Sequence, residues 1–182
     1  VGCGSIVRGD VVRLGDGGSA LPVRTLRERL SSARSATWRI VRVGYTTTGA
    51  GPAPSSVRGL ECDKLSRRGI DAHWAAMPAK LLALPGAKDV VKYVIVDSYE
   101  VGGQNWTEDL PEEFRRRKGR EIGDFLLAMI GYSVGSEKET AAFKSDLKDV
   151  LRTLFAENYY DRFCELCHAA GVKAILEPYG GP

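Results

Sequence analysis

Carboxylates gather at three places where short apolar runs stop. Glu61 and Asp63 stand in GLECDK (residues 59–64), Asp97 and Glu100 in VIVDSYE (94–100), and Glu177 in LEPYG (176–180). Paired carboxyl groups suit glycoside hydrolysis, in which one donates a proton to the leaving oxygen while an ionised partner activates water or attacks carbon. The residues around them suit the same chemistry. Tyr99, Trp106 and Tyr179 offer ring faces to the apolar side of a sugar, and Gln104 and Asn105 can hydrogen-bond hydroxyls. Several oxygen donors brought together could also hold a hard cation such as calcium.

Each of these residues has a plainer reading. Acids that follow strands often serve turns and helix N-termini. That suits Asp109, and Asp63 and Asp97 fit either account. Glu100 fits it poorly, because Gly102, Gly103, Gln104, Asn105 and Trp106 come next and a helix is expected only near residue 111. Trp106 is nearly as well explained by burial in a helix–sheet seam as by substrate contact.

The elements that must position these acids alternate between the two regular periods. TWRIVRVGYTTTG (37–49) alternates like a strand, and RGLECD (58–63) is a short one. Ser66 is a plausible N-cap for a helix through residue 84, broken at Pro78. VVKYVIVDS (90–98) predicts a strand covered on both faces. Helices follow over 110–119 and 121–133. Ser136 and Glu139 have the spacing of a capping box ahead of a long apolar stripe from Phe143 to Leu166, closed at Gly171. VKAILEPYG (172–180) is the last strand. Strands alternating with helices imply a parallel sheet, whose strands all finish on one rim, and there the acids would converge. A complete eightfold barrel takes about 250 residues, so the expectation is an open α/β sheet or part of a barrel. No GxGxxG turn or P-loop links a strand to its helix, which removes the usual reason to favour a nucleotide-binding sheet.

The chain has 182 residues, 43% hydrophobic and 27% charged, with a net charge of +3. That balance is ordinary for a globular protein. The basic run Arg115–Lys118 sits at a helix end and lacks the aromatic platform of a nucleic-acid site, so no nucleic-acid partner is expected. No stretch approaches the ~20 apolar residues of a membrane span. Residues 1–37, rich in Gly, Ser and Arg with two short strands expected over 10–23, read as a β-rich linker or the end of a preceding domain. The chain opens on VGCGS and closes on EPYGGP, and both ends look cut. CELCH (164–168) matches the spacing of c-type haem attachment, but it falls within the apolar stripe of a long helix, where cysteines act as small hydrophobes.

The segments GLECDKLS, DSYEVGGQNWTEDLPEEFRRRKG, AENYYDRFCELCHAAGV and EPYGG together resemble the catalytic region of the α-L-rhamnosidases of glycoside hydrolase family 106. WRIVRVGYTTTG resembles the stretch that leads into their barrel. The resemblance covers residues 38–182, and SYEVGGQNWT is its most specific part. It implies an α/β fold in which residues 38–182 are the N-terminal part of a (β/α)8 TIM barrel with outer helices, preceded by the short β-rich segment. It further implies inverting hydrolysis of terminal α-L-rhamnosides, a carbohydrate substrate, a calcium ion that helps hold the sugar, and a periplasmic or secreted setting. By position Glu100 would be the general acid. Glu61, Asp63, Asp97, Tyr99, Gln104, Asn105, Trp106, Glu177 and Tyr179 would line the subsite, and the second catalytic carboxylate is expected on a later strand. A non-catalytic carbohydrate-binding α/β module is the alternative.

Overall fold

The computed structural model describes residues 5–6, 31, 39–51, 59–99 and 102–181. Glu100, Trp38 and the expected strands of residues 10–23 lie outside the described residues. Two parallel strand pairs organise the fold. β1 (Ser5–Ile6) pairs with β3 (Ser133–Val134), and β2 (Tyr93–Val96) pairs with β4 (Lys173–Leu176) in the register Tyr93↔Lys173 to Val96↔Leu176. The second pairing is extended by a bridge between Tyr99 and Gly180. Only glycine fits there, since a Cβ on Gly180, at φ +78°, would lie 2.1 Å from the Tyr99 carbonyl oxygen.

Helices connect and cover these strands. α1 (Arg67–Ala76) and α2 (Pro78–Leu82) are separated at Met77, where Pro78 opens the second helix. α3 (Ala87–Val90) leads into β2, and α4 (Leu110–Lys118) ends at Gly119 in the left-handed conformation. The helix expected over 121–133 is instead a 3-10 turn (Ile122–Phe125) followed by the single α-turn α5 (Leu126–Met129). Gly131 and Gly135, both at positive φ, stop any continuation. α6 (Glu137–Phe155) carries the expected capping box, with the Ser136 hydroxyl accepting from Glu139 N and the Glu139 carboxylate accepting from Ser136 N. A π-helical turn (Ala156–Asp161) then joins α6 to α7 (Arg162–Ala169) without a break.

Burial follows the apolar spacing into two clusters. The larger packs α4, α5 and α6 around Phe114, Phe125 and Phe143, with the Arg120 guanidinium 5.1–5.9 Å from the three ring centroids. The smaller joins Trp74, Leu82, Phe163, Cys167 and Val172 to the half-buried side of the β2–β4 pair, Val94, Val96, Ala174 and Leu176. The opposite side of that pair differs from expectation. Tyr93 and Ile95 are 52% and 64% exposed, because among the described residues no element packs on that face. Residues 39–51 and 59–63 also differ, forming no strand. They run side by side through one bond, Glu61 N to Ala50 O at 3.0 Å, and the alternation in TWRIVRVGYTTTG finds no ladder among the described residues.

Candidate active site

The turn that follows Glu61 is locked by its own acid. Asp63 accepts from Leu65 N at 2.9 Å, from Thr107 Oγ1 at 2.7 Å and from Gln104 Nε2. Thr107 is buried, so a charge-assisted bond in place of water ties the 61–66 turn firmly to the 102–107 loop. Gln104 completes the junction. Its Nε2 reaches Trp106 O, its Oε1 accepts from Lys64 N at 3.3 Å, and its own N–H donates to the Tyr99 hydroxyl at 3.2 Å. Tyr99 is itself a core residue, edge-on to Phe155 at 5.2 Å.

A buried cation lies beneath Glu61. Lys64 Nζ donates to Glu61 Oε2 and stands 5.8 Å and 5.6 Å from the ring centroids of Tyr99 and Tyr159. Burial, with the charges of neighbouring groups including Glu61 and Asp97, holds the Tyr159 hydroxyl well above the usual phenol range. Burial likewise pushes the Cys62 thiol up, against the pull of Lys64. Tyr159 belongs to the π turn, where Asn158 Nδ2 donates to Leu65 O at 2.7 Å. Such turns recur at functional sites.

Asp97 and Glu177 follow the register partners Val96 and Leu176, and their side chains hydrogen-bond to each other. Asp97 is kept below the usual carboxylate range by the Ser98 backbone N–H at 2.8 Å and then by Glu177. Tyr99, two residues after Asp97 and bridged to Gly180, has its ring 5.8 Å from the Lys64 ammonium that pairs with Glu61, so it links the two acidic groups.

The structure therefore brings Glu61, Asp63, Tyr99, Gln104 and Trp106 into one cluster and sets Asp97 with Glu177 beside it. Trp106 packs on the larger core, stacks on Tyr45 with centroids 5.8 Å apart, and buries an Nε1 that has no partner among the described residues. Asn105 and Tyr179 are exposed, the latter joined through its carbonyl to Tyr99 N at 2.8 Å. Sequence reasoning missed Lys64, Thr107, Tyr159 and Tyr45. A lysine directly after ECD was the one available signal. A cleft of about 420 Å³ borders the turn at Leu65 and Ser66, lined by Arg67, Arg68, Arg116 and Arg117 and by acids including Glu113 and Glu157. Each arginine there pairs with an acid, and none of the four described rim acids lines it. In CELCH, Cys167 is fully buried in the smaller core.

The model of the alpha-L-rhamnosidase family, glycoside hydrolase family 106, matches residues 31–181. The chain belongs to this family. A Formosa agariphila protein that carries the provisional name beta-glucuronidase is 38% identical over 149 residues, which cover 80% of this chain and 13% of that protein. The solved rhamnosidase of Novosphingobium sp. PP1Y superposes with a TM-score of 0.59 at 28% identity, over 70% of this chain and 12% of that one. The chain thus spans about an eighth of the length of these relatives. Its mixed helices and small parallel sheet are similar to part of a rhamnosidase. Among the described residues no helix is long and apolar enough to cross a membrane.

Proposed function

We propose that these residues form part of the active-site wall of a glycoside hydrolase that cleaves terminal α-L-rhamnosides with inversion. Glu100 would donate the proton to the leaving oxygen, and a carboxylate outside the described residues would activate water. The observation that carries this reading is the position of Tyr99, the residue before Glu100: its ring faces the Lys64–Glu61 pair, and its backbone bridge to Gly180 extends the strand ends that carry Asp97 and Glu177. In the same reading Glu61, Asp97, Glu177, Asn105, Trp106 and Tyr179 contact the sugar, while Asp63 and Gln104 hold the loops that present them. Parallel β2 and β4, helices on one of their faces and acids after their carboxyl ends support residues 38–182 as part of a (β/α)8 barrel.

The calcium expectation fits less well. Calcium takes six to eight oxygens, and among the described residues no three carboxylate, histidine or cysteine side chains gather to hold a metal. Asp97 and Glu177 would supply only part of such a shell, and no step here is routed through the ion.

The test is Glu100→Gln in the full-length protein that carries these residues. General acid catalysis contributes about 10²–10⁴-fold, so hydrolysis of phenyl α-L-rhamnoside should fall by that order while L-rhamnose binding persists. A dinitrophenyl rhamnoside, whose leaving group needs little protonation, should lose much less. Near-normal turnover of the phenyl glycoside rejects the acid assignment. The name of the Formosa relative favours one second reading, a β-glucuronide substrate, which the same assay with an aryl β-D-glucuronide decides. Binding of L-rhamnose with no turnover of either glycoside favours a carbohydrate-binding module.

A further inference from the structure

We propose that Lys64 is a positioning residue for sugar recognition, fixing Glu61 so that the carboxylate's second oxygen accepts a substrate hydroxyl. The inference rests on the carbohydrate-active reading above and assigns Glu61 a binding role within it.

Lysines are almost never fully buried unless they are paired, and Lys64 is only 5% exposed. It is held from both ends. Its backbone N–H donates to Gln104 Oε1, and its ammonium meets Glu61 Oε2 between the faces of Tyr99 and Tyr159. Ring faces attract a cation most strongly when it is stripped of water, so the tyrosines stabilise the ammonium without competing for Glu61.

Glu61 is in a different position. Its side chain keeps 23% of its exposure against 6% for that of Lys64, so the pair opens to solvent at the acidic end. Lys64 takes Oε2, and among the described residues Oε1 has no bonded partner. A carboxylate oxygen can only accept, and a sugar hydroxyl supplies the matching donor. An ion pair serving stability alone would gain most by closing both ends. Here the cation is closed in and the anion is reachable, two residues before the locked Asp63.

The experiment is a double-mutant cycle in the full-length protein, using Glu61→Gln, Lys64→Met and their combination, with Lys64→Arg as a fourth variant. KM and kcat are measured on whichever of an aryl α-L-rhamnoside and an aryl β-D-glucuronide is hydrolysed, and circular dichroism checks that each variant is folded. Residues acting through one contact are strongly non-additive. Each single change should raise KM about tenfold, with the double variant no worse than either single and kcat falling much less than KM rises. Lys64→Arg should recover part of the loss by keeping the charge. Losses that multiply to about a hundredfold, or an unchanged KM in a folded Lys64→Met, overturn the assignment. Hydrolysis of the glucuronide alone overturns the rhamnoside reading and leaves the Lys64 cycle to be read on that substrate. Hydrolysis of neither overturns both.

Discussion

Gly69→Ala sets two well-known effects against each other at one atom. Gly69 is the third residue of α1, and replacing a helical glycine by alanine ordinarily stabilises by about 1 kcal/mol. Here the new Cβ would lie 2.2 Å from the carbonyl oxygen of Asp63, 3.0 Å from its carbonyl carbon and 3.1 Å from its nitrogen. These are backbone atoms that cannot rotate away. Carbon–oxygen contacts settle near 3.3–3.6 Å, so the turn must retreat by about 1 Å. Asp63 resists that retreat, because its carboxylate is fixed by Leu65 N, Gln104 and Thr107. Overpacking costs about 1–3 kcal/mol, and loss of one hydrogen bond to a charged group about 1.5–3 kcal/mol. Against the gain of about 1 kcal/mol, the clash wins by roughly 1.5–5 kcal/mol. At about 2–4 °C per kcal/mol for a unit of this size, the Tm followed by far-UV circular dichroism should fall by roughly 3–20 °C. A Tm that rises, as helix propensity alone requires, would refute the account of a rigid turn beneath the site.

Two further outcomes are expected. Glu113 is held below its ordinary value of 4.5 chiefly by the hydrogen bond from Arg116, so its stabilisation is complete above that value and lost as pH falls through the lower folded one. Unfolding by urea from pH 7 down to pH 3 should show wild type and Glu113→Gln converging at the acid end, and a constant gap would contradict the pairing. Burial pushes the Cys167 thiol up to about 11, and the thiolate is the reactive form. At pH 8 a disulfide reagent should therefore leave Cys167 unmodified until the protein is unfolded, as peptide mapping would show.

Helix ends were the most legible part of this chain. Ser136 with Glu139, Pro78 and Gly171 each act through local geometry, and each does in the structure what its type predicts. Strands were harder to read. The alternation in TWRIVRVGYTTTG reports one-sided burial, but a strand also needs a neighbour to complete its ladder, and sequence pattern carries no information about that neighbour. The same reason left Tyr93 and Ile95 exposed where a continuous apolar run suggested cover on both faces. At the candidate site, acids could be picked out because they interrupt apolar runs. Lys64 could not, because its meaning comes from two tyrosines, 35 and 95 residues away in number, that fold over it.

The π turn has a consequence for the whole connection from β3 to β4. An uninterrupted α-helix advances about 100° per residue, which would carry Phe163 and Cys167 roughly 160° and 200° round from Leu147 and turn them toward the far side of the rod. The wider turn at Ala156–Asp161 takes up one residue's worth of rotation and swings that lower half back by about 100°. One continuous rod can then serve two separate interiors, gripping the phenylalanine cluster above and the sheet below, and the step between them is where Asn158 and Tyr159 emerge toward the acids.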